Sequence, residues 1–209
     1  MRFENTSVFN FEGAFRGMRN PMNSWDKSDS IFHYAVTKDT KGRMFYPDAI
    51  PAEVVDCCKL GEKDLALAKG LIIAGSEHRK FMRQIFVSVD ITAPLYWWKE
   101  FDTYKVGTVE NSTSTMHKLA STPITIDCFE MDDFEDLDTE QGLQSLREIQ
   151  WSSLIGWLED LRRTYNETKD KRYWKELIRL LPESWLQKRT VTMNYENIFN
   201  MIKYRREHK

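Results

Sequence analysis

Cysteine is scarce in this 209-residue chain: two are adjacent at Cys57 and Cys58, and the third is Cys128. An odd number with an adjacent pair suits neither a disulfide framework nor a CxxC metal site, and it fits a reducing cytoplasm. Histidine is as sparse. His33, His78, His117 and His208 have no HxH or HxxxH spacing, so no metal centre is expected. No run approaches the ~18 apolar residues of a membrane helix. The opening MRFENTSVFNFEG has no cationic stretch followed by an apolar run, so no secretory leader is expected and Asn111-Ser112-Thr113 is not a glycosylation site in practice. One-sided charge is lacking too. The net charge is −2, which excludes a nucleic-acid or membrane binder by bulk electrostatics and makes any anion site local.

What is present is ordinary for a globular chain: 41% hydrophobic and 30% charged residues. The length suits one domain over 1–209, with 143–181 as a helical subregion. The chain carries 7 Trp and 12 Phe, a surplus that an oligomer interface would bury.

Taken in order, residues 1–16 alternate weakly and read as an edge strand or hairpin leading into Arg16 and Arg19. These two lie a helical turn apart; they could present two guanidinium groups to one anion, or simply end a helix before Pro21. Residues 23–43 are rich in turn formers around a short element at 31–36. A helix follows over 62–78, with Leu65, Ala68, Leu71 and Ile72 on a 3.6-residue period and Gly75 marking its end. Residues 123–129 (PITIDCF) read as a second strand. The stretch 130–140 holds seven acids, but it lacks the order of a calcium loop and reads as a solvated lead-in. The longest helix spans 143–168, with Leu146, Ile149, Leu154, Trp157, Leu158, Leu161 and Tyr165 at helical spacing as core or subunit interface. Two more helices span 171–181 and 195–206. Lys203, Arg205 and Arg206 suit either phosphate or the negative end of a helix.

The chemistry is expected in 83–118. Ile85, Val87, Val89 and Ile91 alternate as one face of a strand, with Ser88, Asp90 and Thr92 on the other. Thr92 can cap a helix beginning near Ala93, with Pro94 in its first turn. Trp97, Phe101 and Tyr104 line one side of that helix and Leu95, Trp98 and Asp102 another. A polar loop follows. It holds Gly107, Thr108, Asn111, Ser112, Thr113, Ser114 and Thr115 between Lys105, His117 and Lys118, hydroxyls and amides among cations that suit a phosphate or sugar.

VSVDITAPLYWWKEFDTYKVGT resembles the segment of flavin-dependent thymidylate synthases in which a strand ends in Ala-Pro, an aromatic helix follows, and the signature RHRxxSxNExSxRY comes next. Anchored on Ala93-Pro94, Thr103-Tyr104-Lys105 stands at the family's Arg-His-Arg and Thr108 at its first Ser; with one extra residue allowed after that, Asn111-Ser112 stands at its Asn-Glu, Ser114 at its second Ser and Met116-His117 at its Arg-Tyr. Upstream, His78 matches the first residue of a His-x-x-x-x-Glu-His pattern, while Arg83 and Gln84 replace its Glu-His. Downstream, Arg179-Leu180-Leu181-Pro182, Asn194 and Arg205 are similar to the C-terminal segment, with Glu196 in place of its middle Arg.

The resemblance covers about residues 71–205 and implies an α+β fold with a largely antiparallel sheet and flanking helices, in a homotetramer with sites between subunits. It implies FAD on His78, Thr103, Tyr104, Lys105 and Asn194. It also implies a pyrimidine deoxynucleotide such as dUMP on Asn111, Ser112, Ser114, His117, Arg179 and Arg205. NADPH and methylenetetrahydrofolate would be co-substrates. One alternative is a non-catalytic or repurposed relative, a nucleotide-binding or assembly protein that keeps the fold and has lost the flavin site, as the changes at Thr103, Tyr104, Met116 and Glu196 suggest; another is an enzyme for a different one-carbon modification of a pyrimidine nucleotide. A lysine in place of an arginine is not neutral, since a point charge replaces a planar fork.

Overall fold

The structure, a computed structural model, describes residues 1–32, 37–38, 44–45, 58–132 and 143–206. Cys57 and most of the acidic stretch lie outside the described residues, as does the expected element at 31–36 beyond Phe32. The elements are β1 (Arg2–Phe9), α1 (Phe11–Arg19), β2 (Ile31–Phe32), β3 (Thr37–Lys38), β4 (Met44–Phe45), β5 (Cys58–Lys59), α2 (Glu62–Ala74), β6 (Phe86–Pro94), α3 (Leu95–Phe101), β7 (Thr108–Ser112), α4 (Thr115–Lys118), α5 (Leu143–Thr168), α6 (Lys171–Arg179), β8 (Leu186–Asn194) and α7 (Tyr195–Arg205). The fold is α+β, as expected, with an antiparallel four-stranded sheet in the order β1-β6-β8-β7. Two short pairs, β2 with β5 and β3 with β4, stand apart from it.

The chain forms two compact units, one of residues 1–7 and 88–192, the other of residues 8–87 and 193–209. In the first, Asp90 is the polar link between strands. It accepts from Asn5 of β1 (2.9 Å) and Thr190 of β8 (2.6 Å) and pairs with Lys188 (3.1 Å). These bonds, that from Thr190 foremost, hold its carboxyl at about 2. All of β1 is exposed, as suits the edge strand that its weak alternation predicts.

The helical part of this unit packs Leu119, Ile124, Phe129, Leu158 and Leu177 into one core. α5 runs over the predicted residues and ends where Lys169 turns left-handed (φ 56°). Asp170 then caps α6 by accepting from the Arg172 N–H (2.9 Å). Only part of the expected stripe is buried. Leu158 is fully enclosed, while Leu146, Ile149 and Trp157 are exposed. The strand expected at 123–129 is absent. Ile126–Cys128 forms a 3₁₀ turn, and a single bridge joins Phe129 to Trp185. Pro123 and an alternation of only two apolar residues were too little to hold a strand against that local turn.

Glu159 of α5 accepts from Arg162 (2.7 and 2.6 Å), Arg163 (3.3 Å) and the Ile124 N–H (3.0 Å). Arg162 holds this carboxyl down from 4.5 to about 2, against the upward push of burial. A depressed native pKa supplies stability above the unfolded value, lost as the pH falls through 4.5 toward 2. Urea midpoints should therefore fall more steeply over that range in the wild type than in Glu159→Gln; parallel curves would remove Glu159 from the acid transition.

In the second unit, Ala14, Phe15, Met18, Ala68, Phe81, Met82 and Ile85 form the core, with Phe11, Tyr195 and Phe199 packed on it. α2 ends at Ala74, earlier than expected, because Gly75 (φ 112°) leaves the helical region as its cap. Arg16 and Arg19 do not face a common anion. Arg16 is exposed near Glu12, whereas Arg19 is buried on Asp64. Among the described residues no helix is long and apolar enough to cross a membrane, and no group of three or more His, Cys, Asp or Glu side chains could hold a metal ion.

Candidate functional site

β6 continues through Ala93 to Pro94, so the helix begins two residues later than expected and Thr92 lies buried in the strand instead of capping α3. The cause lies in β8, a strand the sequence reading missed. Backbone carbonyls of Glu183 and Trp185, just before β8, accept from the N–H groups of Tyr96 (3.2 Å) and Leu95 (3.1 Å), taking the place of a side-chain cap.

α3 is anchored by Trp98, which is fully buried and whose indole N–H is shared between the carbonyls of Ala93 (3.1 Å) and Gln187 (3.0 Å). Trp97 and Phe101 surround it, with ring centroids 4.9 and 5.5 Å away. The guanidinium of Arg189, from β8, lies 4.2 Å from the Trp98 ring. One guanidinium nitrogen of Arg189 donates to both Asp102 (2.8 Å) and Glu110 (2.7 Å), and its Nε donates to Gln187 (2.9 Å). Gln187 in turn donates to the Thr113 carbonyl (3.1 Å) and the Thr115 hydroxyl (3.3 Å). One arginine thus ties the end of α3 to β7, and its glutamine neighbour ties in the start of α4.

Between α3 and β7 lies a cavity of about 320 Å³, lined by Phe101, Asp102, Tyr104, Lys105, Thr108 and Glu110. Gly107 makes the bend into β7 at φ 75°, where a side chain would be strained. The expected polar loop is therefore a strand and a short helix. Asn111 and Ser112 are exposed on β7, and Ser114 caps α4, its Oγ accepting from the His117 N–H (3.2 Å) and lying 2.7 Å from the His117 ring.

Of the predicted residues, Thr103, Tyr104, Lys105, Asn111, Ser112, Ser114 and His117 fall on one stretch of the chain from the end of α3 to α4, and of these Tyr104 and Lys105 line the cavity. The Thr103 hydroxyl is turned onto the Glu100 carbonyl (2.8 Å). Arg179 lies instead with Arg172 and Lys175 in another cavity, its guanidinium 3.3 Å from Glu176. His78, Asn194 and Arg205 belong to the second unit. His78 is exposed, and its backbone N–H donates to Gly75 (3.0 Å). Asn194 caps α7 through Asn197 (3.0 Å), and Arg205 is in the last turn of α7. Sequence reasoning missed Asp102 as a site residue, together with Glu110, Gln187 and Arg189. For β8, which carries Gln187 and Arg189, the available signal was the apolar alternation of Val191 and Met193, diluted by the charges at Lys188 and Arg189.

Two positions that depart from the thymidylate synthase pattern meet in the second unit. Glu196, 7% exposed, accepts from Arg83 and from Arg79 (3.0 Å), and Arg79 also lies 4.9 Å over the Phe199 ring. Burial pushes the Glu196 carboxyl up, but the two guanidinium groups outweigh it and hold it low. Both cations are engaged internally.

This architecture defines an α+β fold of the flavin-dependent thymidylate synthase kind. Over 100% of its length the chain aligns with 86% of the flavin-dependent thymidylate synthase ThyX from Helicobacter pylori complexed with FAD and dUMP, at a TM-score of 0.60 and 16% identity. A second structure of that enzyme with FAD and dUMP aligns over 100% of this chain and 85% of that one, at 0.59 and 16%. No protein-family model matches the chain, and no curated protein matches it by sequence.

Proposed function

We propose that this chain binds a pyrimidine deoxynucleotide in the cavity between α3 and β7. The observation that carries the proposal is the convergence there of Tyr104, Lys105 and Thr108, an aromatic ring, an ammonium and a hydroxyl, on a fold shared with enzymes solved with dUMP and FAD. The ring offers a stacking surface for a base, and Lys105, exposed at the rim, reaches the phosphate. Asn111, Ser112, Ser114 and His117 supply further polar groups along the same run.

Catalysis of the thymidylate synthase kind would need FAD, with NADPH and methylenetetrahydrofolate as co-substrates. The residues of this cavity do not fit the FAD diphosphate. Asp102 and Glu110 stand beside Lys105, Arg189 is tied to both carboxylates, and Thr103 donates its hydroxyl to the backbone. The engagement of Arg79 and Arg83 by Glu196 adds to this. On these grounds we read the chain as a relative that binds a nucleotide and has lost flavin.

Titration calorimetry with dUMP and dCMP should show binding that Lys105→Ala weakens roughly 10-fold, the loss of one charge-assisted contact. The protein should take up no yellow colour from added FAD. Absence of binding to both nucleotides would overturn the proposal, and a co-eluting flavin spectrum would restore the redox reading.

A further inference from the structure

Two acidic side chains, Asp102 and Glu110, stand in the wall of the cavity. Asp102 and Glu110 each give one oxygen to Arg189, at 2.8 and 2.7 Å. Among the described residues, Asp102 Oδ2 and Glu110 Oε1 accept no hydrogen bond from the protein, although both residues line the cavity. A carboxylate can only accept. Arg189 is not among the residues that line the cavity; it spends Nη1 on the two carboxylates and Nε on Gln187, and lies against the Trp98 ring with its side chain 14% exposed. The remaining lining residues bring the Phe101 ring, the Tyr104 ring and hydroxyl, the Thr108 hydroxyl and the Lys105 ammonium.

The edge of a base that enters this space meets two acceptors side by side. A 4-amino group has two hydrogens to donate, one toward each carboxylate, and carboxylate recognition of the cytosine amine is an established pairing. Uracil presents one N–H flanked by two carbonyls. Directed at the same wall, it sets at least one carbonyl lone pair against a carboxylate, and repulsion of that kind rejects the wrong ligand more effectively than added attraction selects the right one.

We infer that the site takes a 4-aminopyrimidine nucleotide, dCMP in preference to dUMP, with Asp102 and Glu110 reading the amino edge. This rests on the nucleotide-binding proposal above. Lys105 holds the phosphate in either nucleotide, so the preference lies in the base alone.

The test is calorimetric titration of the full chain with dCMP and with dUMP under one buffer condition, repeated on Glu110→Gln, with a thermal melt of each protein beside it. The expected result is dCMP about 10-fold tighter than dUMP, from one good base-edge pairing. In Glu110→Gln the two nucleotides should come within about threefold, because the glutamine amide offers an N–H to a carbonyl. Equal or tighter binding of dUMP by the wild type would overturn the preference and leave nucleotide binding standing. Silence toward both nucleotides would overturn nucleotide binding itself. A preference for dCMP that persists in a folded Glu110→Gln would take the amino edge away from Glu110. Should that variant fail to fold, the wild-type ratio alone decides.

Discussion

Asp64→Ala is expected to destabilise the protein by about 3–5 kcal/mol, the range for stripping one partner from a buried ion pair. Asp64 has no exposed surface, and Arg19, only 5% exposed, reaches it with Nε at 2.6 Å and Nη2 at 2.5 Å. The Ser28 hydroxyl (2.6 Å) and the Ser30 N–H (3.1 Å) donate to its other oxygen. Among the described residues, alanine would leave the buried guanidinium with only the Ser24 carbonyl (3.2 Å) as partner, and would take from the Ser28 hydroxyl and the Ser30 N–H the acceptor they share. The measurement is the urea midpoint and slope of each protein. A loss below about 1 kcal/mol would mean that water reaches Arg19 and the pair is not what joins α1 to α2. Arg19→Met with Asp64→Leu should recover much of the loss, because removing both charges also removes the desolvation they require. Burial pushes the Asp64 carboxyl up, but its hydrogen bonds prevail and hold it below its ordinary 3.8. Its contribution is therefore present above that value and fades below it.

Trp98→Ala should destabilise by a similar ~3–5 kcal/mol, the usual range for emptying a large aromatic site in a core, and it should also abolish nucleotide binding. The ring is fully buried, it shares its N–H between two carbonyls, and it is the surface on which Arg189 lies. Without it the guanidinium that fixes Asp102 against Glu110 loses its platform, and the cavity wall loses its register. Trp98→Phe keeps a ring and drops the donor, so a smaller loss of about 1–2 kcal/mol is expected. Trp157→Ala is the comparison: that ring is 51% exposed, and the change should stay within about 0.5 kcal/mol. Denaturation midpoints and nucleotide titrations on the three variants separate the two effects. Trp98→Ala that unfolds at the wild-type midpoint would remove the ring from the core, and retained nucleotide affinity in a folded Trp98→Ala would detach the cavity from its supporting layer.

The parts of the chain legible in advance share one property: their signal is local. The alternation of Ile85, Val87, Val89 and Ile91 specifies β6, and the helical period over 143–168 specifies α5 to its observed ends. Gly75 stops α2 because its own conformation does so. Two of the misjudged segments lacked such a signal. At 123–129 a short apolar alternation could be satisfied equally by a 3₁₀ turn. In β8 the charges at Lys188 and Arg189 masked the buried Val191 and Met193, because an arginine lying on a tryptophan face and held by two acids reads from the sequence as a solvated one.

The sequence by itself determined β6, α5, the end of α2, the aromatic character of α3 and the hydroxyl-rich run after it, through periodicity and turn chemistry acting over a few residues. Tertiary structure alone decided which charges meet. Arg189 reaches Asp102 across 87 positions of the chain and Glu110 across 79, and Arg83 reaches Glu196 across 113. Arg179, grouped by sequence with Lys105, instead lies with Arg172 and Lys175. The pairings of Arg189 and Arg83 follow from strand order and helix packing, and nothing within a window of neighbouring residues encodes them. The same arginine or glutamate could have faced solvent, a phosphate or its opposite, and only the packing of β8 beside β6 and β7 turned Arg189 into the support of a cavity wall.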